Sequence, residues 1–294
     1  MINFALQNWK IMENLTSNST IKRAFPTVGD VLVMLLLFAL SQGVVGLLLQ
    51  AFGVTAPATS AIDAVDVETY MAEQEAFARY TAIAHPILFG VSIFVLWLYA
   101  RLRGGKRAIT IRHSLSGLNP SIILVGVVWL LAAQIILEPL LELMPSNDGN
   151  GLGRGVWAGF TAIISAPILE ELLCRGVLLE VMNKRWGLKT SILISALFFG
   201  LLHFDPANAT VATIAGLIFG VLYLRTSSIY ATIIIHALNN AIAFALISFG
   251  AEDLSFREAL GGGALYYILY GVSVLIFVIA SVEAWFRVLR KKSA

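Results

Sequence analysis

Apolar and polar positions along the chain separate into long apolar runs joined by short polar stretches, rather than into the regular alternation of a half-buried strand. Eight runs stand out, over residues 31–54, 80–100, 121–144, 156–182, 190–204, 210–224, 229–250 and 264–288. A helix crossing a bilayer needs about 20 mostly apolar residues, and a helix satisfies its own backbone groups where no water can. The pattern therefore predicts an all-α polytopic membrane protein with about eight transmembrane helices. Runs five and six are short. At about 1.5 Å per residue, fifteen residues reach only about 22 Å. These two must borrow flanking residues or end inside the protein, and "DPAN" at 205–208 reads as a buried break between them.

Composition agrees with the pattern. Of 294 residues, 58% are hydrophobic and 13% charged, against about 25% charged in a soluble domain, and the mean hydropathy is +0.83. The net charge of +2 is spread over short basic clusters rather than a stripe or tail, which excludes a nucleic-acid partner. The lone Cys174 excludes an intrachain disulfide and reads as a small packing residue. Residues 1–24 lack a contiguous apolar core and a small-residue cleavage site, so they are expected to remain as a cytoplasmic segment. Residues 25–288 read as one helical membrane domain and 289–294 as a basic cytoplasmic tail.

Lys and Arg in short loops set orientation. Lys22 and Arg23, then Arg101, Arg103, Lys106, Arg107 and Arg112, then Lys184, Arg185 and Lys189, then Arg225, and finally Arg287, Arg290, Lys291 and Lys292 fall on one face of an eight-span arrangement. Loop 55–79 holds Asp63, Asp66, Glu68, Glu73 and Glu75, and 251–263 holds Glu252, Asp253 and Glu258, on the other. Both termini are thus expected in the cytoplasm.

Ionisable groups at bilayer depth are costly and mark function by default. Five stand out: Glu170, Glu171, Arg175, His203 and His236. On a helix, Glu171 and Arg175 are i and i+4, with the acid N-terminal, the better order for an ion pair. Adjacent side chains point about 100° apart, so Glu170 is left without that partner. Glu170 is assigned to chemistry, and Glu171 with Arg175 to supporting it; the bland alternative is a buried ion network that only pins helices. His203 follows Phe199 by one turn, and His236 and Asn240 are i and i+4, pointing one way from one helix. Taken singly, each histidine reads as a satisfied polar contact or interhelical glue.

Taken together, a carboxylate and an imidazole can hold and deprotonate a water, while a second imidazole and a carboxamide supply donors for the oxyanion formed on an amide. The same Glu170, His203 and His236 also match the ligand set of a catalytic zinc with an open position. HExxH and HxxEH are absent, and the residues leave both assemblies open. His85, beside Pro86, reads as interfacial and His113 as solvated. Glu138 and Glu142 are expected to reach headgroups or loop donors, and Glu180 and Glu283 to snorkel.

"EELLCR" (Glu170 to Arg175), "FGLLH" (Phe199 to His203) and "HALNN" (His236 to Asn240) follow the order EExxxR, FxxxH, HxxxN on separate helices. In this the chain resembles the CPBP intramembrane proteases (CAAX protease and bacteriocin processing), which include the type II CAAX prenyl endopeptidases. The likeness covers about 156–245. It implies motif helices enclosing a cytoplasm-facing cavity, with Glu170 and His203 activating water and His236 and Asn240 binding the oxyanion. It also implies a metalloprotease-like site or a water-only one. The expected activity is endopeptidase cleavage of a membrane-associated or lipidated peptide or protein, reached from the cytoplasmic side or the bilayer, in the plasma membrane of a bacterium. Bacterial members range from peptide maturation to bacteriocin self-immunity and scaffolding. The competing readings are thus a non-catalytic binding, immunity or scaffold protein of the same fold, and a polar-site transporter.

Overall fold

A computed structural model describes residues 25–58, 60, 65–144, 153–249 and 255–289. The 1–24 segment with Lys22 and Arg23, the tail with Arg290, Lys291 and Lys292, and the acids Asp63, Glu252 and Asp253 lie outside the described residues. Among those described, the elements are helices and no strand is present.

Helix α1 is Val28–Ala51, α2 is Val67–Gly104 and α3 is Pro120–Leu141. A long rod then starts at Val156. It passes through π-wound stretches at Thr161–Ser165 and Leu172–Leu179 and breaks at Gly187, where φ is 75° and ψ 175°. A positive φ costs glycine nothing and other residues much, so Gly187 divides the rod into α4 (156–186) and α5 (188–201). Next come α6 (Pro206–Thr226), α7 (Ile229–Ser248), the short α8 (Phe256–Ala259) and α9 (Ala264–Ala284), which continues as a π turn through Trp285–Leu289.

Each of the eight apolar runs is folded as helix. Six helices are long and apolar enough to cross a membrane: α1, α2, α3, α6, α7 and α9 with its extension. The other two expected spans are α4, interrupted by its π stretches and its charges, and α5, only about 21 Å long at 1.5 Å per residue. The second span begins well before residue 80, because "ETYMAEQEAFARY" is rich in good helix formers and Asp66 caps the helix by accepting from the Thr69 N–H at 2.9 Å. The break at 205–208 is not buried: Pro206 and Asn208 are exposed and Asp205 and Ala207 half-buried. Phe204 is 93% exposed, and Asp205 caps α6 through Asn208 N at 2.9 Å.

Helices α1 and α9 bury only 11% of their most apolar windows, whereas α6 buries 50%. Leu36, Leu40 and Leu47 on α1 turn outward, as side chains facing lipid do. α6 therefore lies at the centre of the bundle, where Phe219, Leu222 and Tyr223 pack with Leu173, Leu178 and Phe199. Small residues permit close approach between helices: a Cβ on Gly216 would stand 2.9 Å from Ala196 Cα, so α5 and α6 nearly touch there.

Polar pins join the outer helices. Ser41 and Ser92 hydroxyls meet at 2.6 Å between α1 and α2. Asp30, buried and unnoticed in the sequence, accepts from Arg103 Nε at 2.9 Å and the Tyr99 hydroxyl at 2.7 Å. Glu180 does not snorkel. It is 2% exposed and accepts from Arg112 Nε at 2.9 Å and the Tyr223 hydroxyl at 3.0 Å, because burial of a carboxylate requires donors. Glu283 accepts from Arg225 and Arg287, both at 2.9 Å.

Candidate active site

The site grows from α4. Arg175 and Glu171 are both fully buried and pair one helical turn apart, Nη1 to Oε1 at 2.7 Å. The guanidinium also donates from Nη2 to the Gly216 carbonyl at 2.9 Å and lies over the rings of Phe199 at 4.8 Å and Phe219 at 5.1 Å. Phe199 of the FxxxH element is thus a wall for the cation. This is the arrangement a desolvated arginine needs: one carboxylate, one carbonyl and two aromatic faces.

Glu170 points elsewhere, as a 100° offset between neighbours requires. Its Oε2 lies 3.8 Å from His236 Nε2, while His236 Nδ1 lies 3.4 Å from Glu171 Oε1. One imidazole therefore stands between the two adjacent carboxylates. Its ring stacks on Phe219 with centroids 4.9 Å apart and meets Phe199 edge-on at 5.6 Å.

His203 Nδ1 lies 3.0 Å from the Phe199 carbonyl. A carbonyl can only accept, so Nδ1 carries a proton and, in the neutral ring, Nε2 is left as the basic nitrogen. Asn240 donates from Nδ2 to the Ala162 carbonyl at 2.9 Å, which ties α7 to the π-wound part of α4 and leaves its second N–H and its oxygen for other partners. The neighbouring Asn239 accepts from Gln134 at 2.8 Å.

His203, His236 and Asn240 line one cavity of about 640 Å³ between α3, α6 and α7, together with Phe199 and Gln134. Glu170 is not among the lining residues; it sits behind His236, 9% exposed. The outer part of the cavity is formed by Glu138, Glu142, Asn208, Ser255 and Phe256. Those segments lie at the end of the bundle opposite Arg112, Arg225 and Glu180. By the distribution of Lys and Arg, that end of the bundle is the one expected to face away from the cytoplasm.

One acid finds the kind of partner the sequence suggested, and one histidine takes a place it did not signal. Glu138 is buried at the cavity rim and accepts from the Arg257 N–H at 3.3 Å, a loop donor as expected. His85 is not interfacial: its Nε2 lies 4.0 Å from Glu170 Oε1 and its Nδ1 3.1 Å from Ser165 Oγ. A lone histidine next to a proline carries no spacing signal, and only the packing of α2 on α4 reveals it. Among the described residues, no three His, Cys, Asp or Glu side chains are grouped as a metal ion requires. His203 Nδ1 faces a carbonyl and His236 Nδ1 a carboxylate, which leaves Nε2 of each ring toward the site, a donor pattern that suits a held water or a metal ion alike.

Fold and site together define a class: an integral membrane protein of helices whose polar side chains gather in one buried site. Residues 152–242, the segment carrying all three motifs, match the family "Type II CAAX prenyl endopeptidase Rce1-like". Over that segment the chain is similar to the CPBP proteases. It is also 32% identical over 77 residues to a Bacillus subtilis (strain 168) protein named "Putative membrane peptidase YdiL", an alignment covering 26% of this chain and 32% of the relative. The match thus spans about a third of that relative's length. No solved structure matches.

Proposed function

We propose that the chain is an intramembrane endopeptidase that hydrolyses a peptide bond of a membrane-associated or lipidated substrate with a water activated by Glu170 and His203. One observation carries this reading: the Glu170 carboxylate, which has no arginine or lysine partner among the described residues, lies 3.8 Å behind His236, and His236 lines one cavity with His203 and Asn240. That separation is too long for a direct hydrogen bond and suits a bridging water.

In this mechanism Glu170 takes a proton as the water oxygen attacks the scissile carbonyl carbon, and the carbonyl electron pair moves onto oxygen. His236 and the second N–H of Asn240 donate to that oxyanion, in a site dry enough for such bonds to count. Collapse breaks the C–N bond, and the proton held by Glu170 passes to the leaving amine. The buried Glu171–Arg175 pair fixes the helix turn that aims Glu170 and the imidazole that touches both acids. Every step uses side chains present in the chain. A bacterial plasma membrane is the proposed location, in keeping with the bacterial relative.

The test is reconstituted protein in proteoliposomes with a quenched-fluorescent peptide library. Glu170→Gln keeps size and hydrogen bonding and removes the proton acceptor, so cleavage falls by at least about 10² while thermal unfolding is unchanged. Cleavage at the wild-type rate by this variant would remove the general base from the mechanism and the mechanism with it.

A further inference from the structure

The Glu170 carboxylate has a histidine on each oxygen. His236 of α7 faces Oε2 at 3.8 Å, and His85 of α2 faces Oε1 at 4.0 Å. His85 is held by more than this contact. Its ring stacks on Phe89, one turn further along α2, with centroids 4.4 Å apart and planes 25° from parallel. Its Nδ1 is 3.1 Å from the Ser165 hydroxyl, which the π-wound stretch of α4 turns toward α2. Only 14% of its side chain is exposed. None of the three family motifs includes it, and the mechanism above does not use it.

We propose that His85 is a positioning residue for Glu170: with Ser165 donating to Nδ1, its Nε2–H is turned toward Oε1 across 4.0 Å, a charge–dipole contact longer than a hydrogen bond, which leaves Oε2 turned toward His236 and the cavity. This rests on the protease reading of the site. The tautomer follows from chemistry. Were the proton on Nδ1, Nε2 would present a lone pair to a carboxylate oxygen, acceptor against acceptor. A hydroxyl can donate or accept, so Ser165 is the partner that adapts. The other charged groups about Glu170 are Glu171 and Arg175 on its own helix, His203 on α5 and His236. Each of these approaches from the side of α5 to α7 or from α4 itself, so among the described residues His85 is the one supplied by α2. Without it, a carboxylate next to a gap would rotate, and the water held between Oε2 and the motif residues would lose its geometry.

Three substitutions separate the donor from the packing. His85→Phe keeps the ring on Phe89 and removes the donor. His85→Gln places an amide N–H near the position of Nε2, and His85→Asn places one near Nδ1. On the peptide library in proteoliposomes, His85→Phe and His85→Asn are expected to lower kcat on the order of 10²-fold, the cost of a misplaced catalytic group, with KM and thermal unfolding little changed. His85→Gln recovers most of that loss. Wild-type kcat in His85→Phe, or a loss confined to KM, overturns the proposal. Glu170→Gln run in parallel keeps the two readings apart: if it cleaves like wild type the protease mechanism fails, whereas if it is inactive and His85→Phe is not, only the role of His85 fails. A measurement independent of turnover covers the case in which no peptide in the library is cut. The chain has four histidines, so ¹⁵N solid-state NMR of ¹⁵N-histidine protein can be assigned by single substitutions. The His85 ring is expected to carry its proton on Nε2, with a resonance that moves on Glu170→Gln. A proton on Nδ1, or an Nε2 signal indifferent to Glu170, refutes the contact.

Discussion

Glu171→Gln tests the division of labour between the adjacent glutamates. Arg175 has no exposed surface and its strongest partner is Glu171 Oε1 at 2.7 Å. Two unit charges with centres about 4 Å apart interact by about 4 kcal/mol at an effective dielectric of 20, and breaking a buried pair by removing one member costs about 3–5 kcal/mol. The two phenylalanine faces are already engaged in the wild type, so they supply nothing new. Glutamine keeps an oxygen to accept from Nη1, which places Glu171→Gln toward the lower end of that range and Glu171→Leu toward the upper. Replacing both partners, Glu171→Leu with Arg175→Met, removes the uncompensated charge, and a double-mutant cycle should return a coupling of about 3 kcal/mol. The assay is reversible denaturation in mixed micelles together with protein abundance in the membrane. The reasoning is refuted if Glu171→Gln is as stable and abundant as wild type, and a stable but inactive variant would move Glu171 into the chemistry.

Other consequences follow from single contacts. Gly216→Ala should cost about 1–3 kcal/mol, because the new methyl meets Ala196 Cα at 2.9 Å and displaces the carbonyl that holds Arg175; unchanged thermal unfolding would show that α5 and α6 can part freely. Hydrogen bonds from the Thr69 backbone N–H and then its hydroxyl hold the Asp66 carboxyl below its usual range. The cap therefore contributes above the unfolded Asp value, about 3.9, and is lost as pH falls through the lower folded one; hydrogen exchange at residues 67–70 should quicken only in that acid window, and protection independent of pH there contradicts the cap. Cys174 is fully buried, so single cysteines can be labelled against a silent background: an impermeant maleimide should reach Glu68→Cys only from outside and Ser116→Cys only from the cytoplasm, and the opposite pattern inverts the orientation and turns the cavity mouth to the cytoplasm.

How much of this was legible in the sequence depended on the range of the interaction. Helix existence is a local matter of apolar run length, so all eight runs appear as helix. Helix limits are set by caps and propensity, which is why α2 begins at Val67, thirteen residues ahead of its apolar run. The π winding of α4 left no mark in the hydropathy pattern, since it preserves composition and changes only which side chains share a face. In the site, the i, i+4 pair of Glu171 and Arg175 was readable because both partners lie on one turn. Asp30 with Arg103, Glu180 with Arg112, and His85 with Glu170 join residues more than sixty positions apart. No spacing rule reaches that far, so an acid assigned to snorkelling and a histidine assigned to the interface proved to be buried partners.

Those long-range contacts also explain why two glutamates stand side by side. A single buried carboxylate could pair with Arg175 or stand behind His236 at Nε2; the helix offset lets two consecutive residues do one each. His236 then couples them, with Nδ1 toward Glu171 and Nε2 toward Glu170. Any shift of the Glu171–Arg175 pair is therefore transmitted through one rigid ring to the oxygen proposed to take the proton. Phe199 and Phe219 bracket both the guanidinium and that ring, so the two aromatic side chains fix the distance between the supporting pair and the reacting acid. On this account Phe199→Leu should lower kcat more than it lowers stability, because leucine fills much of the volume but offers neither a cation a π face nor an imidazole an edge. Equal losses in stability and kcat would reduce Phe199 to packing and leave His236 to find its place between the two acids unaided.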